Sequence, residues 1–239
     1  MKVTLTNYSN NENPILTLYK AYRLCYSKCT QEDIKYPLLA NNEPDFEKIS
    51  EFIVDKMKKG HTSPLEHISF TFEISDVSRV LTHQLVRHRT GKFSQQSQRY
   101  VKNSKGYVVP PKIQEIKYAD KIYYEALEEV YKTYDNLVEL LLEKSIEECG
   151  DTIPYSKLEK QAIEDARYIL PNASFTNITV TMDLNNFRKF YALRNCKHAQ
   201  WEIRELAYRM GKLVKDVIPF ALEGAMNCGI TCFDCIGGK

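Results

Sequence analysis

Residues 87–100 form a segment rich in hydrogen-bond donors, with the sequence RHRTGKFSQQSQRY. Arginine presents a planar fork of N–H donors that matches the oxygens of a phosphate. Serine and glutamine add shorter neutral hydrogen bonds that fix the orientation of such a ligand. A cluster such as Arg87 to Arg89 alone is equally compatible with a solvated loop. The whole segment, with Ser97 and Arg99 at its far end, predicts a phosphate-binding site.

Three further blocks stand in order around this segment. They are HTSPLEH at residues 61–67, RYILP at residues 167–171 and LRNCKHAQWEIR at residues 193–204. Together the four blocks resemble the flavin-dependent thymidylate synthases, whose signature has Arg-His-Arg followed at this spacing by a serine, here Ser97. The resemblance spans residues 61 to about 207 and does not depend on one short motif.

The resemblance implies a reductive methylation of dUMP to dTMP, and therefore a methyltransferase. In the family, 5,10-methylenetetrahydrofolate donates the carbon, and FAD carries a hydride taken from NADPH. The cofactor supplies the difficult chemistry, whereas the protein supplies placement and electrostatics. The family also implies a homotetramer whose flavin sites are shared between subunits. A nucleotide- and flavin-binding protein with other chemistry is the alternative.

Individual residues acquire roles through this resemblance. Arg194 is the implied catalytic residue, because a permanent positive charge would stabilise the negative charge that develops on the uracil ring when C6 accepts a hydride. The implied cofactor-binding residues are Ser63, Arg87, His88, Arg89, Gln95, Asn185 and His61, with Ser63 reaching the flavin from another subunit. The implied dUMP-binding residues are Gln84, Arg87, Gln95, Gln96, Ser97, Gln98, Arg99, Arg167 and Arg194, with Ser97 and Arg99 on the phosphate.

Two nucleophiles are weighed against this assignment. A serine nucleophile needs a base within hydrogen-bond reach, and none can be assigned to Ser97, which is interpreted as a ligand. Cys196 stands near Arg194, and thymidylate synthases of the unrelated type use a cysteine nucleophile. A buried free cysteine more often behaves as a small apolar residue.

The chain departs from the family pattern at three positions. Gln95 stands where many members carry Glu, and Asn185 and Lys189 stand where an Arg and an Asn are common. The sequence therefore leaves open which flavin contacts the segment from Asp183 to Lys189 provides.

Cysteines and basic residues support two competing readings. Cys228, Cys232 and Cys235 have a C-x3-C-x2-C spacing compatible with an iron–sulfur cluster, and Cys25 with Cys29 could complete a zinc site or lie in a helix core. No metal ligand is assigned. Single-stranded nucleic acid could instead bind a basic and aromatic stretch by charge and stacking. That stretch comprises Arg87, Arg89, Lys92, Phe93, Arg99, Tyr100, Lys102, Lys105 and Tyr107.

Apolar periodicity predicts the elements that must position these residues. Alternation predicts strands at residues 67–75, 178–183 and 2–6, in an antiparallel sheet covered by helices. Helical spacing predicts a long helix through residues 123–141 that Gly150 stops, another at 203–217, and a short one from Val77 to Val86. The Arg-His-Arg segment would then leave this short helix as an extended loop. Arg194, His198 and Trp201 would share one face if their segment is helical, with Arg194 meeting the loop.

Composition limits the remaining classes. The chain has 239 residues, with 33 basic against 31 acidic side chains and a net charge of +2. This balance does not favour a nucleic-acid coat or a membrane-surface protein. Without a signal peptide or an apolar run of membrane-spanning length, the sequence predicts a cytoplasmic protein. We expect a single α+β domain over residues 1–239, with a cysteine-containing tail from about residue 224.

Overall fold

Alternating apolar and polar residues produce the strands of an antiparallel sheet. In the computed structural model, which describes residues 1–9, 13–102 and 106–225, these strands are β1 (Lys2–Tyr8), β2 (Ser69–Ser78), β3 (Lys92–Gln95) and β4 (Phe175–Asp183). Their order in the sheet is β1-β2-β4-β3. Phe70, Phe72 and Ile74 are fully buried, whereas Thr71 and Glu73 point to the other face. Half-buried strands require this alternation.

Helices account for most of the remaining regular structure that is described. They are α1 (Pro14–Leu24), α2 (Phe46–Lys58), α3 (Arg79–Leu85), α4 (Pro111–Gln114), α5 (Lys117–Cys149), α6 (Tyr155–Ala166), α7 (Leu184–Arg194) and α8 (Trp201–Val217), with 3-10 turns at Ser63–His67, Gly150–Thr152 and Arg167–Ile169. Asp183 begins α7 by accepting the amide hydrogen of Asn186 at 2.8 Å. α5 ends where Gly150 adopts a φ of 53°, a conformation that favours glycine.

The chain divides into two compact units. Unit 1 contains Met1–Lys2, Ile74–His83 and Ser94–Ile178, and unit 2 contains Val3–Glu73, Gln84–Phe93 and Thr179–Lys239. In unit 1, α5 and α6 pack through a buried cluster of Tyr134, Val138, Ala162, Ile163 and Ala166. The expectation of one domain over residues 1–239 stays a prediction.

The core of unit 2 is aromatic around α7. Phe187 stacks on Phe72 with 5.8 Å between ring centroids and contacts Phe190 at 6.0 Å. Arg188 is also buried, and its guanidinium donates to the backbone oxygens of Ala221 and of Glu223, the latter at 2.7 Å. Arg188 therefore ties α7 to the chain that follows α8.

The α+β class with its antiparallel sheet and covering helices is confirmed. The extended loop expected after the short helix is wrong. Arg87 and His88 donate their amide hydrogens to the backbone oxygens of Gln84 and Leu85, and Gly91 donates to His88 at 2.9 Å. These turns satisfy carbonyl groups left at the end of α3, and the chain then enters β3, a strand that the pattern did not predict.

The segment from Arg194 to Trp201 is not one helix, so the condition under which Arg194, His198 and Trp201 would share a face is not met. α7 ends at Arg194, and α8 begins only at Trp201 because the side chain of Gln200 caps the amides of the new first turn. Cys25 and Cys29 are exposed, so neither is a core residue. Cys228, Cys232 and Cys235 lie outside the described residues.

Within the described residues, no group of His, Cys, Asp or Glu side chains could hold a metal ion. None of the helices described there has both the length and the apolar character needed to cross a membrane.

Candidate functional site

A hydrogen bond between two predicted site residues forms the centre of the candidate site in unit 2. Arg194, at the last position of α7, donates from Nε to Nε2 of His88 over 3.0 Å. The turns after α3 present His88, and its ring meets the edge of Phe190 with 5.0 Å between centroids. The structure thus brings Arg194 to the Arg-His-Arg segment, as expected. Both side chains are half-buried.

The electrostatics of this pair keep His88 neutral. A ring nitrogen that accepts a hydrogen bond carries no proton, so Nε2 of His88 must be unprotonated. Burial, and next the positive charge of Arg194, lower the pKa of His88 from its ordinary value of 6.5. At neutral pH the imidazole therefore orients the Arg194 guanidinium without cancelling its charge.

The flanking basic residues are more accessible. Arg87 and Arg89 are exposed on the turns that carry His88, and Gln84 is half-buried at the end of α3. In the described residues, neither arginine forms an ion pair. Their positive charges are available to an anionic ligand.

A cavity of about 470 Å³ lies elsewhere in unit 2, against the 3-10 turn at Ser63–His67. Its lining includes Cys25, Gln31, Ser63, Glu66 and His67. Small-molecule sites commonly occupy about 300–1,000 Å³ and combine apolar walls with a few polar groups. The hydroxyl, amide and carboxylate groups here fit one part of a cofactor such as FAD. Sequence analysis noted Ser63 as a cofactor contact and Cys25 only as a possible zinc ligand or core residue, and it did not note Gln31.

His61, just before this turn, is exposed and packs edge-on against Tyr26. Its backbone oxygen accepts a hydrogen bond of 2.7 Å from the hydroxyl of Tyr22. Burial raises the pKa of Tyr22 to about 12, so this donor keeps its proton throughout the physiological range.

The segment from Asp183 to Lys189 has mostly internal partners. Asn185 is buried, and its Nδ2 donates to Oε1 of Glu66 over 2.9 Å. Asp183 caps α7, Arg188 binds backbone oxygens, and Lys189 is exposed. Asn185 thus supports a residue that lines the cavity, while its predicted contact with a flavin stays a prediction.

β3 leads directly into the predicted nucleotide segment, which lies in unit 1. The Gln95 side chain donates from Nε2 to the hydroxyls of Thr82 at 2.9 Å and Thr176 at 3.2 Å. Gln96 continues the ladder by donating its amide hydrogen to Asn177 at 2.9 Å. Glutamine supplies donors that a glutamate could not, which gives Gln95 a structural role. Its predicted ligand contacts stay untested.

The remainder of this segment bends around Ser97. The Ser97 Oγ accepts the amide hydrogen of Arg99 at 3.1 Å, and Val101 bonds back to the Ser97 carbonyl. Within the described residues, the Ser97 hydroxyl contacts no base. Its O–H is therefore free to donate, and the ligand role of Ser97 stays a prediction.

Arg99 is held by a carboxylate that sequence analysis did not identify. Its Nε lies 2.6 Å from Oε1 of Glu164, and its Nη2 donates to Oε2 over 3.0 Å. Arg167, three residues after Glu164 in the sequence, donates from Nε to the backbone oxygen of Glu164 at 3.1 Å. Glu164 lies on α6 and has no distinctive sequence pattern, so only the tertiary structure identifies it.

Arg79 is a second residue that sequence analysis missed. It stands where β2 gives way to α3, and with Gln96, Ser97, Gln98 and Lys102 it lines a small cleft. The available signal was a single basic residue between the buried Val77 and Leu81. Burying a charged side chain in such an apolar stretch costs free energy, so its presence calls for an explanation.

Comparison with known proteins gives consistent matches. A sequence model of the family described as thymidylate synthase complementing protein matches residues 4–220. A flavin-dependent thymidylate synthase of Clostridium tetani is 41% identical over 243 residues, covering 96% of this chain and 93% of the relative. One from Nitratidesulfovibrio vulgaris is 42% identical over 220 residues, covering 91% and 85%.

A solved structure shares the fold. The UMP/dUMP methylase PolB from Streptomyces cacaoi, bound with 5-Br dUMP, matches with a TM-score of 0.71 over 94% of this chain and 93% of that chain. Sequence identity is 22%, so this likeness supports the architecture alone.

Proposed function

Because this chain belongs to the flavin-dependent thymidylate synthase family, we propose that it converts dUMP to dTMP by reductive methylation. The carbon donor is 5,10-methylenetetrahydrofolate, and NADPH is the reductant. When bound, FAD supplies the hydride that the methylation requires. We propose that it acts in the cytoplasm.

The observation that carries this proposal is the hydrogen bond from Arg194 to neutral His88. Nε of Arg194 is used for orientation, which leaves its two Nη groups to bind a substrate. A fixed positive charge of this kind stabilises negative charge that develops on a carbonyl-containing ring. Arg194 would hold the uracil and stabilise the charge that appears when C6 is reduced.

The segment from Gln95 to Arg99, together with Arg167, would bind the nucleotide. Ser97 offers a free hydroxyl donor, and Gln96 and Gln98 line the same cleft. Arg167 has its Nη groups available because its Nε bonds to a backbone oxygen. These neutral and cationic donors suit a nucleoside monophosphate.

For the cofactor, the cavity beside Ser63 and Glu66 would hold part of FAD, with Arg87 and Arg89 providing positive charge for the diphosphate. A homotetramer with shared flavin sites is proposed because family resemblance implies it. Exposed apolar side chains on α5 support an interface, among them Tyr118 at 80% exposure and Ile122 at 66%.

Product analysis tests the proposal. Purified protein is incubated anaerobically with dUMP, 5,10-methylenetetrahydrofolate and NADPH, with and without added FAD, and dTMP is separated by chromatography. We expect dTMP only when FAD is present. Bound FAD without any dTMP would contradict the proposed reaction and favour other flavin chemistry at the same nucleotide fold.

A further inference from the structure

Aromatic rings and cations alternate along a surface of unit 2, in and beside α1 and α2. The Nζ of Lys56 lies 5.2 Å from the ring centroid of Tyr26 and 5.4 Å from that of Phe52. The guanidinium carbon of Arg23 lies 5.6 Å from the Phe52 centroid. At the other end, the Tyr26 ring meets the edge of His61 with 6.0 Å between centroids. These five residues form a cationic strip that begins at His61 and ends at Arg23.

The cationic strip carries more positive than negative charge. Arg23 is exposed on the last turn of α1, and in the part of the chain that the structure describes no carboxylate pairs with it. Lys56 lies 3.9 Å from Oδ2 of Asp55, but Lys59 donates to the same oxygen at 2.8 Å, so two lysines share one carboxylate. An aromatic ring attracts a cation to its face and does not neutralise it. The charges of Arg23 and Lys56 are therefore available to an anion.

The cationic strip borders the cavity of about 470 Å³. Leu24 and Cys25 line that cavity and directly follow Arg23 in the chain. His61 stands two residues before Ser63, which also lines the cavity. Two hydrogen bonds fix the backbone of His61, one from its amide at 3.1 Å and one to its carbonyl oxygen at 2.7 Å. A ligand that extends from the cavity past His61 therefore meets the rings and cations of the strip.

We propose that the cationic strip binds the aminobenzoyl-glutamate part of the folate cosubstrate. This rests on the proposed function, which supplies the folate. Tyr26 is 58% exposed and offers aromatic surface to the aminobenzoyl ring. The two cations that lie over Phe52 pair with the two carboxylates of the glutamate. Arg23 forms the stronger pair, because its planar fork matches a carboxylate through two parallel hydrogen bonds, whereas Lys56 acts as a point charge.

Binding of two unreactive ligands tests whether the strip recognises the glutamate. Tetrahydrofolate and tetrahydropteroyl methylamide, a neutral analogue that lacks the glutamate, are titrated anaerobically into FAD-loaded wild-type, R23Q, R23K and K56Q proteins in a calorimeter. We expect R23Q to bind tetrahydrofolate about 10-fold more weakly and the methylamide within about twofold of wild type, because only tetrahydrofolate has the carboxylates. R23K keeps the charge without the fork and should lie between them. K56Q should lose about threefold, since Asp55 already offsets part of the charge of Lys56.

Two variants control for the loss of a positive charge. K58Q removes an exposed lysine from the same last turn of α2, and among the described residues Lys58 lies over no aromatic ring. R209Q removes an exposed arginine of α8 that pairs with Glu205. Both should bind each ligand like the wild type. Circular dichroism and FAD content establish that each variant is folded and loaded. If R23Q does not fold, the ratio of the two affinities in R23K and K56Q decides instead.

Three results would overturn the assignment of the cationic strip. They are a wild type that binds both ligands equally, an R23Q variant that binds tetrahydrofolate within about twofold of wild type, and an equal loss for both ligands. Loss of FAD from R23Q would also contradict it, because the anion would then be the diphosphate of the cofactor. The proposed function fails separately. If the wild type makes no dTMP, yet R23Q selectively loses affinity for tetrahydrofolate, the reaction is refuted and the glutamate site stands.

Discussion

Arg194 in unit 2 and Arg99 in unit 1 both sit in segments that the sequence marks for binding, but their partners differ. Arg194 donates to a neutral imidazole, whereas Nε and Nη2 of Arg99 both pair with the carboxylate of Glu164. A neutral acceptor fixes the direction of a guanidinium and leaves its charge intact. A carboxylate fixes its direction and neutralises it. The partner therefore leaves the charge of Arg194 available to a ligand, whereas Arg99 shares its charge with Glu164.

Two other arginines extend the comparison. Arg188 is buried on backbone oxygens and anchors the chain after α8, while Arg79 has one backbone acceptor and one unsatisfied nitrogen. In a structural arginine, acceptors of the protein bind the N–H donors of the guanidinium. In an arginine that binds a ligand, some N–H donors or the positive charge remain unpaired within the protein.

Replacing the catalytic candidate should have the largest effect. We expect Arg194→Ala to lower kcat by about 1,000-fold, since removal of one stabilising donor at a reacting centre commonly costs 100- to 1,000-fold. Steady-state dTMP formation and the flavin content of the purified variant measure this. FAD should remain bound. Arg209→Ala is the control, and near-normal activity of Arg194→Ala would refute the catalytic assignment.

Replacing the buried structural arginine should affect stability instead. We expect Arg188→Met to lower the free energy of unfolding by about 1–3 kcal/mol, because the buried oxygen of Ala221 loses its donor. Urea denaturation measures this, with exposed Lys189→Met as the control, expected within about 0.5 kcal/mol of wild type. A loss of kcat in folded Arg188→Met would contradict a purely structural role.

Removing the neutral acceptor should misdirect Arg194. We expect His88→Ala to lower kcat about 10- to 100-fold, as a displaced catalytic group can. His88→Gln, which keeps a neutral acceptor, should recover part of this loss. The kcat profile should also fall on the acid side for wild type, where protonated His88 can no longer accept from Arg194, and should lose that limb in His88→Gln. An unchanged profile would argue against the pairing.

The same pair predicts how stability depends on pH. The folded pKa of His88 lies below 6.5, so between that pKa and 6.5 the unfolded chain binds a proton that the folded chain does not. The contribution of neutral His88 to stability is therefore fully present above about pH 6.5. The free energy of unfolding then decreases as the pH falls toward the folded pKa. Thermal melts at several pH values should show a smaller decline for His88→Gln than for wild type. The exposed His83→Gln variant should decline like the wild type.

The smallest effect is expected from replacing Glu164, whose carboxylate neutralises Arg99. Arg99 and Glu164 are 47% and 38% exposed, and such pairs contribute about 0–1 kcal/mol. Glu164→Gln should therefore change the free energy of unfolding by less than about 1 kcal/mol. Its dUMP affinity should rise a few-fold, because Arg99 regains its charge. Glu205→Gln breaks a similar exposed pair and controls for this. Weaker dUMP binding would show that Glu164 serves the site by positioning Arg99.

Sequence reasoning located strands more accurately than it located the site geometry. The apolar residues Phe70, Phe72 and Ile74 indicate β2, because burial of one face of a strand places an apolar residue at every second position. β3 was not predicted because it is four residues long and pairs with β4, which contacts it from 81 residues further along the chain. The break between α7 and α8 was not predicted because the side chain of Gln200 produces it by capping α8, and the sequence there contains no strong helix breaker.

By itself, the sequence determined the family, the α+β class and the identity of Arg194, His88 and Ser97 as candidates, because these depend on residue type and spacing. Only the tertiary structure decided how the arginines differ. Their partners, His88 for Arg194, Glu164 for Arg99 and an unsatisfied nitrogen for Arg79, come from distant segments or from burial. A guanidinium carries the same charge at every position in a sequence, and the groups that fold against it determine whether that charge is free to act.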